Sequence, residues 1–133
     1  MLAENVWTAH GAEWRLTGVV TREEIDELNR AFTNDPRSDH ARYQLLDLRD
    51  VPRIDMTMGD AQMVGAYDAA QSLSTPAIRV AILTPDDRFD DLIAGYAEML
   101  EGGSWTVRAF TDEAEARAWI SQAAAREPRK ART

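Results

Sequence analysis

The stretch Leu45-Leu46-Asp47-Leu48-Arg49-Asp50-Val51-Pro52-Arg53-Ile54-Asp55-Met56-Thr57-Met58-Gly59 decides the fold. Together with Tyr43 and Gln44 it opens on a short apolar run, the mark of a strand buried on both faces rather than one half in solvent. A loop containing Pro52 follows, and Asp55-Met56-Thr57-Met58-Gly59 then leads into a helix expected from about Asp60 to Leu73, with Pro76 closing the unit.

The same strand-then-helix unit recurs on either side. Downstream, Arg79 to Thr84 carries Val80, Ala81, Ile82 and Leu83 as a second central strand. Pro85-Asp86-Asp87 starts a helix with Phe89, Leu92, Ile93, Tyr96 and Leu100 at helical spacing, and Gly102-Gly103 stops it. Trp105 to Phe110 is the last strand, and Asp112-Glu113-Ala114-Glu115 caps a helix containing Trp119, Ile120 and Ala123. Upstream, Val6-Trp7 and the alternating Trp14, Leu16, Gly18 and Val20 read as two strands turned at His10-Gly11-Ala12. Thr21-Arg22-Glu23-Glu24 is a capping box, and its helix places Ile25, Leu28 and Phe32 on one face before Asn34-Asp35-Pro36.

The order is β-β-α-β-α-β-α-β-α. Single helices between strands return the chain across the sheet, so those strands pair in parallel with right-handed crossovers. The expectation is an α/β domain with a mostly parallel five-stranded sheet, an antiparallel N-terminal strand and four helices, over residues 1–125. The first strand lies where edge pairing or homodimerisation would use it. Arg126, Arg129, Lys130 and Arg132 against Glu127 give residues 126–133 a net +3, read as a solvated, disordered basic tail.

Composition narrows the function. A hydrophobic fraction of 44% is globular rather than disordered. The net charge of −8, with −11 on the first 125 residues, lacks the basic footprint of a nucleic-acid binder. No apolar run reaches the roughly 18 residues of a membrane helix. With no cysteine, disulfides, thiolate metal sites and cysteine nucleophiles are excluded, and a cytoplasmic location is expected. The one lysine is Lys130, so a P-loop, a Schiff-base lysine and a receiver-domain lysine are all missing from the folded body.

In order and length the chain resembles the SpoIIAA-like (STAS-type) domains, whose best-known members are bacterial anti-sigma factor antagonists. The quoted stretch is similar to the family's strand, loop and hydrophobic-Asp-Ser-(Ser/Thr)-Gly helix start. Asp47 falls at the polar end of the strand, Asp55 on the loop aspartate, and Thr57 on the hydroxyl residue that regulatory members have phosphorylated. Met56 replaces the first hydroxyl residue, and Met58 lengthens the motif by one. The helix with Tyr96, the strand ending Val107-Arg108-Ala109-Phe110 and the helix with Ala118-Trp119 look like the branch grouped with lipid-carrier (Sec14-type) domains.

The leading expectation is a non-enzymatic module with its site where the strand ending at Leu48 meets the second helix, since ligands of parallel sheets gather at strand carboxyl ends. One reading has an apolar, lipid-like molecule or a protein partner held there. Met56, Met58 and Met63 would form an adaptable mouth and Tyr67, Phe89 and Tyr96 deeper walls. The other is a regulatory switch, with Thr57 as phosphoacceptor and a partner docking around Asp55 and Asp60. Against it stands the plain role of a threonine at a helix start, which is to cap it. The small residues Ala61, Gly65, Ala66, Ala69 and Ala70 make the second helix either a weakly docked lid or a closely packed one.

No catalytic constellation is legible. Asp86, Asp87, Asp90 and Asp91 suit the first turn of a helix and lack a calcium-loop pattern. His10 and His40 fall in loops far apart in sequence, and Ser104 enters a strand rather than leaving one, as a nucleophile elbow would. No cofactor is implied, and an uncharacterised enzyme ranks last. Trp14, Trp105 and Trp119 fit core faces, whereas Trp7 suits either a dimer surface or a pocket rim.

Overall fold

A computed structural model describes the backbone of residues 1–131 and the side chains of residues 1–123. The expected solvated basic tail therefore falls on side chains outside the described set. In chain order the elements are strands β1 (Leu2–Trp7), β2 (Gly11–Thr17) and β3 (Val20–Thr21), helix α1 (Arg22–Asn34), a 3-10 turn (Pro36–His40), strands β4 (Tyr43–Asp50) and β5 (Ile54–Asp55), helix α2 (Met58–Gln71), strand β6 (Arg79–Leu83), a 3-10 turn (Asp87–Phe89), helix α3 (Asp90–Glu98), strand β7 (Thr106–Phe110) and helix α4 (Glu113–Ala131).

The main sheet has the order β1-β2-β4-β6-β7. β1 runs antiparallel to β2, and every other pair is parallel, with Leu46 opposite Trp14 on one side and Ile82 on the other. This is the mixed architecture expected from the alternation of strands with single helices. β3 and β5 form a small parallel pair of their own, too short to leave a periodic signal.

Helix starts follow local chemistry. The Thr21–Glu24 capping box is present, with the Thr21 hydroxyl accepting from the Glu24 amide and the Glu24 carboxylate accepting from Thr21 N–H. A second box forms at Thr57: its hydroxyl accepts from Asp60 N–H at 3.0 Å and the Asp60 carboxylate accepts from Thr57 N–H at 3.0 Å. That reciprocal pair starts α2 at Met58, two residues before the expected Asp60. Asp86 accepts from Arg88 N–H and holds a 3-10 turn, so α3 begins later than Pro85-Asp86-Asp87 suggests.

Two cores sandwich the sheet. On one face α1, α2 and α3 cover Ala12, Trp14, Leu16, Val80 and Ile82, with Phe32 at the centre of an aromatic group. Trp7 stacks on Phe32 with ring centroids 5.4 Å apart, Trp105 meets Phe32 edge-on, and Arg37 lies 4.6 Å above Trp7. Trp7 thus closes the end of the core. On the other face α4 packs, through Ala116 and Ile120 on Leu45, Ala81, Leu83 and Phe110. Ion pairs tether α4 to the sheet, Arg117 reaching Glu13 at 3.0 Å and Glu113 reaching Arg49 at 2.9 Å. The β1 edge beyond α4 leaves Leu2 and Val6 exposed.

The helix-rich face has uneven packing. α2 and α3 stand very close: a Cβ on Gly65 would lie 2.5 Å from the Tyr96 carbonyl oxygen, and one on Gly95 would collide with the Met58 sulfur. The small residues of α2 serve this close approach. Between α1 and α2, by contrast, contact is carried by polar bridges near each end, Arg22 to Asp60 at 3.2 Å and Thr33 to Tyr67 at 3.2 Å.

Candidate functional site

A cavity of about 120 Å³ occupies the space under the three helices. The sheet supplies its base through Trp14, Leu46, Leu48, Val80 and Ile82. Three walls come from helices that each start at the carboxyl end of the strands and run back: Ile25 and Leu28 from α1, Ala61 and Val64 from α2, Leu92 and Ile93 from α3. Val20, Ile54 and Met56 complete the carboxyl end. Of these, Ile25, Leu28, Ile54, Met56, Leu92 and Ile93 are only partly buried, so the mouth is apolar and lies at that end.

One turn further along each helix the lining changes character. Asn29 follows Ile25 by four residues on α1, Asp68 follows Val64 by four on α2, and Tyr96 follows Leu92 by four on α3. Gln44 precedes Leu46 by two on β4 and therefore points to the same face. These four side chains form one polar layer at the inner end of the cavity. Asp68 is 3% exposed and Gln44 7%. The Tyr96 hydroxyl donates to Asp68 Oδ2. The Asn29 amide nitrogen is buried with no partner among the described residues.

Burial pushes the Asp68 carboxyl up to about 7, outweighing the hydrogen bond from Tyr96, which pulls the other way. Burial, with the Asp68 charge and hydrogen bond behind it, holds the Tyr96 hydroxyl well above its ordinary range. Among the described residues no lysine, arginine or histidine lines the cavity, so no cation there offsets the cost of a buried carboxylate. A mostly apolar hollow with a few convergent polar groups and a perturbed carboxyl is the usual form of a small-molecule site.

The residues singled out in the sequence divide between this cavity and the surface. Met56 lines the mouth and Tyr96 the inner end. Phe89 is buried in the core outside the lining, and Tyr67 bonds to Thr33 across the helix gap rather than walling the cavity. Met58 lies over Gly95, and Met63 is 55% exposed, so neither methionine borders the mouth. Thr57 is exposed at the start of α2, beside Asp60, while Asp55 is exposed and weakly paired with Arg53. Asn29, Gln44 and Asp68 escaped the sequence reading. Their signal was a polar residue occupying a position of a buried stripe.

A mixed sheet with three helices on one side and a single helix on the other matches the architecture of known proteins. The model of the SpoIIAA-like family matches residues 12–121. The chain belongs to the SpoIIAA-like family. Among solved structures it is similar to an uncharacterised protein of Shewanella loihica with a SpoIIAA-like fold, at 13% identity and a TM-score of 0.54, covering 90% of this chain and 92% of that one. It is also similar to the anti-sigma factor antagonist SpoIIAA in its unphosphorylated form, at 12% identity and a TM-score of 0.51, covering 89% and 98%. No curated protein matches. Among the described residues no helix is long and apolar enough to cross a membrane.

Proposed function

We propose that this protein is a non-enzymatic binding module that holds a small apolar molecule under α1, α2 and α3. The supporting observation is the cavity itself, at the strand ends where such sheets bind ligands, with an apolar mouth and a polar inner layer. Its volume is close to that of engineered cavities, about 150 Å³, that take up benzene. The guest is therefore ring-sized rather than a whole acyl chain. The test is a titration of ¹⁵N-labelled protein with toluene and phenol, followed by NMR. Saturable shifts at the Ala61, Val64 and Ile82 amides are expected, and Val64→Phe, which fills the hollow, should remove them. No saturable shift with either compound refutes the reading.

A second reading is favoured by one feature, the exposed hydroxyl of Thr57 at the N-terminus of α2. A phosphate there would face the free amides of the first turn, next to the charges of Asp55 and Asp60. In this reading Thr57 is the phosphoacceptor of a regulatory switch that controls docking of a protein partner. Phosphopeptide mapping of protein purified from its own cells tests it, and an unmodified Thr57 across growth conditions would rule it out.

A further inference from the structure

The polar layer is confined to one end of the cavity, and it is incompletely satisfied. The three helices run the same way relative to the sheet, starting at the strand carboxyl ends. Asn29, Asp68 and Tyr96 therefore all lie one turn inward from the apolar mouth, and Gln44 lies level with them on the sheet. Such an arrangement sets an orientation as well as a composition. A guest with a polar head at the mouth would leave the Asn29 N–H buried without a partner, a cost of about 1–3 kcal/mol.

We infer that the guest enters head first and is a neutral, ring-sized molecule bearing one hydroxyl or carboxamide group, which sits between Asn29, Gln44 and Asp68 with its apolar body toward Ile25, Met56 and Leu92. This rests on the binding reading above and adds the chemical class and the pose. The donor and acceptor balance requires such a head. Asn29 offers an N–H with no partner, so the head must accept. Gln44 offers both an N–H and a carbonyl oxygen, and that oxygen calls for a donor, so the head must also donate. A hydroxyl or carboxamide does both with one group. A charged head is disfavoured: an ion of either sign would have to leave water for a hollow lined mainly by aliphatic side chains.

The experiment compares phenol with toluene, which differ by that one group, by NMR titration of the intact chain at pH 6. Phenol is expected to bind about tenfold more tightly, the usual gain from one well-formed buried hydrogen bond. Two variants place the head. Gln44→Met and Asn29→Leu keep the approximate size of the side chains while removing their polar atoms, and each should shrink the ratio of phenol to toluene affinity several-fold. With two variants on different elements, loss of folding in one leaves the other to decide. Equal affinities for phenol and toluene in the wild type would overturn this inference while leaving the apolar binding site intact. A preference for phenol that survives in the variants would show that the head lies elsewhere and would overturn it too. Failure of both compounds to bind would overturn the binding reading along with it.

Discussion

Asp68→Asn should abolish a pH dependence of stability that wild-type protein carries between pH 4 and 7. In the unfolded chain an aspartate ionises near 3.8, whereas in the folded protein burial moves Asp68 to about 7. Between those values the folded state holds a proton that the unfolded state has lost, so stability falls as pH rises. The slope is about 1.4 kcal/mol per pH unit, and the fall ends once the folded carboxyl has also ionised. Across the whole window this amounts to about 4 kcal/mol, and from pH 5 to pH 8 to about 3 kcal/mol. The carboxamide oxygen of the variant would still accept the Tyr96 hydroxyl bond, while the group carries no titratable proton. The difference in unfolding free energy between variant and wild type should therefore grow by about 3 kcal/mol from pH 5 to pH 8, in favour of the variant. Urea unfolding followed by the fluorescence of buried Trp14 and Trp105 measures it at half-unit steps. Shifts of other carboxylates, such as Glu13, cancel because both proteins share them. Parallel pH curves for the two proteins would refute the argument, because they would mean that Asp68 is hydrated or paired in the folded state.

Other consequences are equally direct. Tyr96→Phe removes an interaction that favours the Asp68 carboxylate, so the fall in stability should begin at the same pH but extend to higher pH and grow in total, measured by the same urea series. Gly65→Ala should destabilise by about 1–2 kcal/mol, since the forced separation of α2 from α3 outweighs a helix-propensity gain of about 1 kcal/mol; a rise in melting temperature would contradict the close approach. Thr57→Ala should cost about 1 kcal/mol through loss of the capping box and leave phenol binding unchanged, because the hydroxyl lies outside the cavity. Phe32→Ala should cost about 3–5 kcal/mol, because it removes the ring on which Trp7, Trp14 and Trp105 converge.

The fold was legible because its signals are local and repeated. The Thr21–Glu24 box fixed the start of α1, and the apolar strands Tyr43–Asp50 and Arg79–Leu83 stand at the centre of the sheet. The cavity was legible only in outline. Its place beside Leu48 and Met56 followed from strand direction, and Tyr96 followed from helical spacing. Met63 did not follow, because in a helix as rich in small residues as α2 periodicity does not say which of several apolar residues faces inward, and this one faces solvent. Asn29, Gln44 and Asp68 were passed over for the opposite reason. A polar side chain is assigned to solvent by default, and only its register with Ile25, Leu46 and Val64 betrays that it points inward. The close seat of α2 on α3 turned on what two glycines lack, which no count of apolar residues records.

Those two glycines fix which part of the pocket is able to yield. With no side chain between them, α2 and α3 form a single stiff wall whose spacing is set by backbone touching side chain and backbone. The opposite wall, α1, is anchored at its far end by Phe32 but is joined to α2 across the hollow by an arginine–aspartate pair and a hydroxyl contact, bonds that can break and re-form at little cost in water. Adaptation to guests of different girth is thereby assigned to α1 and to the segment carrying Ile54 and Met56, so ligands of increasing size should displace the resonances of Ile25 and Leu28 while those of Gly65 and Gly95 stay in place.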